Sequence, residues 1–125
     1  MEKTPNGLPE APPTADLERL AAERPDDAGV LVRLANAYWL EGRGPQVVEE
    51  IALRARALDP ANRAAWHLWA LAEPAPRQRV ERWRRVTEQF PHDDLAYAAL
   101  ADNAASLAGA EHDVVALDLA ITTYE

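Results

Sequence analysis

The sequence predicts an all-α chain in which pairs of helices repeat along its length. From Thr14 onward it is rich in Ala, Leu, Arg and Glu, residues that favour helices. Pro25, Pro60 and Pro91 recur at intervals of 35 and 31 residues, and each follows an apolar run of helical period. Each is followed within two residues by Asp or Asn, which commonly cap a helix N-terminus. The prolines therefore mark repeating points at which one helix ends and the next begins.

The apolar positions keep the same phase relative to these prolines. Eight and five residues before them the chain has Leu17 and Leu20, Ala52 and Ala55, and Trp83 and Val86. After them come three stripes, namely Leu31, Leu34, Ala35 and Tyr38; Trp66, Trp69 and Ala70; and Tyr97, Leu100, Ala101 and Ala104. Two large residues three positions apart, followed by a small one, form a helix face against which a partner helix can pack closely.

The predicted organisation is a flexible Pro-rich leader over residues 1–13 and a helical domain over residues 14–125. The leader holds four of the ten prolines and almost no apolar residue, which is typical of a segment without a core. Seven helices are predicted: a lone helix at about 15–24, followed by the pairs 28–41 with 46–58, 63–73 with 77–89, and 94–107 with 112–124. Pro45 favours the first position of a helix, and Gly109 is predicted to break the last pair.

This spacing resembles the tetratricopeptide repeat (TPR), whose pattern runs W-x₂-L-G-x₂-Y, A-x₃-F and P over about 34 residues. The stretch "LVRLANAY" matches best, with Leu31 at the Trp position and Ala35 at the Gly position. The second copy has Trp66 but Glu73 in place of Tyr. The resemblance covers residues 15–125. It implies a right-handed helix-pair solenoid made of a half repeat plus three TPR-like repeats.

The adjacent rings of Tyr38 and Trp39 cannot share one packing face, because neighbours on a helix point about 100° apart. Tyr38 falls in the packing stripe, whereas Trp39 falls in a stripe that lines the concave groove in proteins of the TPR family. The groove residues that the resemblance implies are Val32, Asn36, Trp39, Leu40, His67, Leu71 and Asp102. It implies a non-catalytic module that binds a protein or peptide, with Trp39 as an aromatic anchor. Alternatively, the first helix covers Trp39 and makes it part of the core.

Two narrower resemblances bear on the partner. A chaperone-type carboxylate clamp of Lys and Asn residues is not expected, because only Asn36 matches its positions. The layout of a short leader, "ADLERLAAERPDD" and a repeat pair is similar to the soluble domain of bacterial cytochrome c assembly proteins. Those proteins hold an apocytochrome tail for haem attachment, so a chaperone domain of that kind is an alternative within the binding class.

The composition and residue types argue against several other functions. A net charge of −8 opposes binding to nucleic acid. The absence of cysteine excludes thiol nucleophiles and cysteine-ligated zinc. The three histidines lie far apart and Ser106 has no evident base, so neither an enzyme, a cofactor nor a metal site is predicted. No apolar run approaches the ~20 residues of a membrane span. A cytoplasmic location is expected, or a periplasmic one if an upstream targeting segment has been removed.

The arginine-rich run "RQRVERWRR" is interpreted as a solvated outer face rather than as a basic patch for nucleic acid or an acidic partner. Ion pairs four residues apart are predicted for Arg77–Glu81, Glu81–Arg85 and Arg84–Glu88.

The last predicted helix has more apolar positions than one packing stripe can hold. Val115, Leu119 and Thr122 form a second stripe where a further helix would lie. The sequence therefore predicts a homodimer through the C-terminal helix, unless residues beyond Glu125 cover this stripe in a longer protein. A self-associating structural scaffold without a groove ligand is the alternative function.

Overall fold

The structure is a computed structural model that describes residues 14–122, with side chains described for residues 14–111. The described residues form helices and no strand. The elements are α1 (Thr14–Glu23), α2 (Ala28–Leu40), α3 (Pro45–Leu58), α4 (Arg63–Leu71), α5 (Pro76–Gln89) and α6 (Asp94–Thr122). The all-α prediction is confirmed, and the predicted leader, residues 1–13, lies outside the described residues.

The helices begin where the local sequence predicts. Asp27, Asn62 and Asp93, each two residues after a recurring proline, accept hydrogen bonds from the backbone N–H three residues later, at 3.1, 3.2 and 3.3 Å. Pro45 and Pro76 are the first residues of α3 and α5, where a missing N–H costs no helical hydrogen bond. The second helices of the first two predicted pairs, α3 and α5, therefore start with proline. The first helices of the three predicted pairs, α2, α4 and α6, each follow a polar cap.

The turn after α2 depends on glycine. Gly42 has φ +72° and Gly44 has φ +103°, conformations that other residues rarely adopt. The N–H of Gly42 donates to the carbonyl of Trp39 at 3.1 Å, and the N–H of Arg43 donates to that of Tyr38 at 3.0 Å. This is a Schellman arrangement, which ends α2 and sets the point from which α3 begins.

The core runs through α1–α5 and reaches the start of α6. Its fully enclosed large side chains are Leu31, Val48 and Val86. Of the two adjacent rings, Tyr38 is 8% exposed and its hydroxyl donates to Glu18 of α1, whereas Trp39 is 37% exposed. Burial, followed by the hydrogen bond to Glu18, raises the pKa of Tyr38 above its ordinary value. Tyr38 thus belongs to the core, and α1 does not cover Trp39.

The predicted break at Gly109 is wrong. α6 is one continuous helix from Asp94 to Thr122, so the last pair, 94–107 with 112–124, does not form as two helices. A glycine inside a helix costs only about 1 kcal/mol relative to alanine. Its neighbours in "AASLAGAEHD" include no proline, and alanines there favour continuation. A helix of this length extends for roughly 40 Å, so its second half cannot pack on its first.

The third apolar stripe is therefore only partly covered within the described residues, where Leu100 is half-buried against the core. Tyr97 is 47% exposed and Ala101 is also exposed, in contrast with the buried stripes of α2 and α4. The side chains of Val115, Leu119 and Thr122, predicted for self-association, lie outside those that the structure describes.

Consecutive helices contact one another along the chain, and α2 also contacts α4 directly. The first helices of the first two predicted pairs are thus neighbours, which brings their outward-facing residues onto one surface. Over residues 14–122, no helix combines the length and apolar character needed to cross a membrane.

Candidate functional site: a pocket between α2 and α4

A pocket of about 380 Å³ lies where α2 and α4 meet. It is lined by Val32, Arg33 and Asn36 of α2, by Ala64, His67, Leu68 and Leu71 of α4, and by Trp83 of α5. α2 and α4 each contribute residues spaced three or four positions apart, because that spacing places side chains on one helix face.

The inner wall of the pocket is apolar and fixed, and its rim is polar. Leu68 and Trp83 are 6% and 5% exposed, so the core holds both side chains in place. Leu71 is 39% exposed and is available to an occupant. Asn36 and Arg33 are exposed on α2 and offer amide and guanidinium donors. An apolar cavity with a few polar groups around it is the usual form of a binding site for a small molecule or a side chain.

The imidazole ring of His67 is held in the pocket by Asp93 and by Trp83. Its Nε2 lies 2.6 Å from Oδ2 of Asp93, the residue that caps α6. Its ring makes an edge-to-face contact with Trp83, with ring centroids 5.2 Å apart. The histidine side chain is 24% exposed and the aspartate side chain only 2%. The imidazole is therefore fixed on two sides while one part of it still faces the solvent.

The buried Asp93 carboxyl is kept ionised by its neighbours. Burial alone would raise its pKa. The hydrogen bonds from His67 and from the Ala96 N–H outweigh burial, aided by the charges of His67 and Arg63, so the pKa of Asp93 lies below its ordinary value. An ionised carboxylate only accepts hydrogen bonds, so Nε2 of His67 donates the bond to Asp93. Nδ1 is then the ring atom left for an occupant.

Trp83 supplies a buried donor at the same place. Its indole Nε1 is buried and has no hydrogen-bond partner among the described residues. A buried donor without an acceptor costs about 1–3 kcal/mol, so native proteins rarely leave one unsatisfied. This Nε1 has almost no accessible surface, so Trp83 meets an occupant of the pocket through its ring carbons and not through this N–H.

The structure brings together four of the seven predicted groove residues and separates the other three. Val32, Asn36, His67 and Leu71 line the pocket. Trp39 and Leu40 are exposed on α2 outside it, at 37% and 76%. Asp102 is exposed on α6 and also lies outside the pocket.

The sequence pattern did not predict the roles of three residues in the pocket. Trp83 was predicted from its stripe to be a core residue, yet it also forms one wall of the pocket. Arg33 follows a predicted groove residue and had no signal of its own. Asp93 looked like a helix cap and nothing more, because its bond to His67 spans 26 residues.

Three other clefts among the described residues are more polar. One cleft, of about 710 Å³, lies along the turn after α1 and includes Glu23, Arg24, Asp26, Asp27 and Asp59. Such a cleft, open and lined by charged turn residues, does not enclose an apolar ligand. Within the described residues, no three His, Cys, Asp or Glu side chains are grouped so as to hold a metal ion.

Comparison of the chain with protein-family models and with curated proteins finds no match.

Proposed function

We propose that this protein is a non-catalytic binding module built from TPR-like helix pairs. It holds a protein or peptide partner in the pocket between α2 and α4 and acts as an adaptor. The observation that supports this most directly is the pocket itself, with fixed apolar walls at Leu68 and Trp83 and donors at its rim. The recurring caps at Asp27, Asn62 and Asp93 support the repeated helix-pair solenoid.

The pocket favours an extended peptide that inserts one apolar side chain. Leu71 and Val32 provide the apolar contact, and a volume of about 380 Å³ is enough for a large side chain and its flanking backbone. Asn36 and Arg33 lie where they can donate to the carbonyl oxygens of that backbone. Fixed walls reduce the ordering cost of binding, which improves affinity without additional contacts.

Two leucines provide a matched test. Leu71 and Leu40 are the last residues of α4 and α2, and both are exposed, but only Leu71 lines the pocket. Peptides selected from a displayed library on the full chain would be titrated by calorimetry against each variant. We expect Leu71→Ala to weaken binding about tenfold, as for a central interface contact, and Leu40→Ala to change it less than about twofold. Equal losses in both variants, or none in either, would place the binding surface elsewhere.

Trp39 decides how far the binding surface extends. It lies outside the pocket but belongs to the predicted groove and is 37% exposed. Trp39→Ala should leave the melting temperature nearly unchanged, because the ring is not part of the core. A loss of peptide affinity would extend the surface along α2, whereas unchanged affinity would confine it to the pocket.

Self-association is a second candidate, favoured by the exposed face of α6. Tyr97 is 47% exposed on a helix whose predicted partner helix does not form, and Ala101, one turn later on the same face, is also exposed. A second copy is the simplest way to bury such a face. Light scattering should then report a dimer that Tyr97→Glu makes monomeric. A monomer at high micromolar concentration would rule this candidate out.

A further inference from the structure

Three arginines surround one indole ring on the part of the molecule where α3, α4 and α5 meet. The guanidinium carbons of Arg56, Arg82 and Arg85 lie 4.5, 4.8 and 5.5 Å from the ring centroid of Trp69. None of these residues lines the pocket between α2 and α4. This arginine cluster is therefore separate from the proposed peptide site.

Arg56 is the fixed member of the arginine cluster. Its guanidinium also lies 4.2 Å from the ring centroid of Trp66, in the notch between two indoles that are 86° to each other. Its Nη1 is buried and has no hydrogen-bond partner among the described residues. Two aromatic rings thus hold a cation in one orientation, as expected for a built contact and not for a freely moving surface side chain.

The cluster has more cations than carboxylates. Arg82 forms ion pairs with Glu49 at 2.9 Å and with Glu73 at 2.8 Å, and it also donates a hydrogen bond to the Trp69 carbonyl. Among the described residues, no carboxylate lies within 4.0 Å of Arg56 or Arg85. Desolvation, followed by the charges of Arg85 and Arg82, lowers the pKa of Arg56. Arg56 and Arg85 therefore lack a paired carboxylate, whereas the charge of Arg82 is compensated.

The arginine-rich run thus differs from its prediction. None of the i,i+4 pairs predicted for it forms; Arg77 pairs with Glu111 of α6, and Arg84 pairs with Glu81 at 3.7 Å. Arg82 is half-buried in ion pairs with Glu49 and Glu73, because tertiary partners compete successfully with neighbours on the same helix. Arg85 is the exposed member of the run that faces Trp69 and remains without a carboxylate.

We propose that Arg56 and Arg85 form a binding site for a phosphate group, as inorganic phosphate or as a small phosphate monoester. Neither guanidinium has a carboxylate within 4.0 Å, and the several acceptor oxygens of a phosphate group can pair with both of them. Guanidinium groups bind phosphate oxygens through paired, charge-assisted hydrogen bonds. A long polyanion is disfavoured, because the chain carries a net charge of −8.

Two neighbouring residues of α5 provide the test. Arg85→Gln removes a cation of the site, and Arg84→Gln makes the same change one position away, in an exposed side chain paired with Glu81. The full chain would be titrated by calorimetry at pH 7.5 with sodium phosphate and, separately, with O-phosphoserine. Sodium chloride would keep the ionic strength constant.

We expect saturable binding of at least one of the two probes to the native chain. Arg85→Gln should weaken it about tenfold or more, the usual effect of losing a hydrogen bond to a charged group, and Arg84→Gln less than about twofold. Tighter binding of O-phosphoserine would identify a monoester as the ligand, and tighter binding of phosphate the free ion. The proposal is overturned if neither probe binds, or if both substitutions weaken binding equally, since that would reflect net charge alone. Neither result bears on peptide binding in the pocket.

Discussion

Asp27 and Asp93 occupy the same place relative to two of the recurring prolines, yet their surroundings differ. Each lies two residues after a proline and caps the following helix through its side chain. The Asp27 side chain is 40% exposed, with Arg24 3.9 Å away, whereas that of Asp93 is 2% exposed, with His67 at 2.6 Å and Arg63 at 3.8 Å. The same position after a recurring proline therefore serves as a simple cap at the start of α2 and as a buried anchor beneath the pocket at the start of α6.

The difference arises from the preceding first helix. α4 presents His67 and Arg63 toward the start of α6. At the start of α2, by contrast, the described ion pair of Asp27 comes from Arg24, only three residues away. Capping is set by local sequence, while burial and charge pairing are set by the neighbouring helix, which for Asp93 is α4. A capping residue can thus become part of a site without any change in its own sequence signal.

The largest predicted contrast is between the two alanine substitutions. Asp27→Ala should lower the free energy of unfolding by about 1 kcal/mol, the usual cost of losing a cap. Asp93→Ala should lower it by about 2–4 kcal/mol, since it also removes a hydrogen bond to a chargeable partner and leaves a cavity. Urea unfolding at pH 7 measures both. Similar losses would mean that the Asp93–His67 contact adds nothing to the cap.

Asparagine substitutions separate the cap from the charge. Asn caps helices as well as Asp does, so Asp27→Asn should change the free energy of unfolding by only a few tenths of a kcal/mol. Asp93→Asn keeps the cap but weakens the bond with His67, and should cost about 1–2 kcal/mol. The same urea experiment applies. A loss at Asp93 as small as that at Asp27 would show that the negative charge there is dispensable.

The pH dependence of stability sharpens the comparison further. Because the pKa of Asp93 is lower in the folded state than its unfolded value, its stabilising contribution is complete above the unfolded pKa, about 3.9. The contribution is lost as the pH falls through the folded pKa. The stability gap between the native chain and Asp93→Asn should therefore narrow below about pH 4. A gap that stays constant from pH 7 to pH 3 would contradict the lowered pKa.

The helix starts could be predicted from sequence, because caps and prolines act within a few residues. The first five helices begin and end within two residues of their predicted bounds. Helix geometry likewise predicted that Tyr38 and Trp39 lie on different faces, with Tyr38 in the packing stripe, whereas the exposure of Trp39 was left open between groove and core. These features need no knowledge of what lies across the molecule.

The features that could not be predicted from sequence are those that local signals do not determine. Gly109 was predicted to break a helix because the repeat pattern called for a turn, but nothing local enforces one. The His67–Asp93 contact joins residues 26 positions apart, so periodicity could place His67 on the pocket face without revealing what holds it. The ion pairs of Arg82 likewise reach α3 and the turn after α4, beyond its own helix.

The smallest predicted effect concerns the two arginines that accompany these caps. Arg24 and Arg63 are both exposed, with side chains 62% and 58% accessible, and their distances to the carboxylates are nearly equal. Exposed ion pairs contribute about 0.2–1 kcal/mol, so Arg24→Gln and Arg63→Gln should both be mild. Arg63→Gln should be the costlier of the two, since its partner is buried and solvent screens that pair less.

Urea unfolding in 0.05 M and 1 M NaCl would measure both variants against the native chain. The cost of Arg24→Gln should vanish in high salt, while part of the cost of Arg63→Gln should persist. If high salt abolishes the loss of unfolding free energy in both variants, the ion pair of Arg63 with Asp93 is screened as fully as an exposed pair. His67 is then the only side chain beneath the pocket that holds Asp93 through its charge.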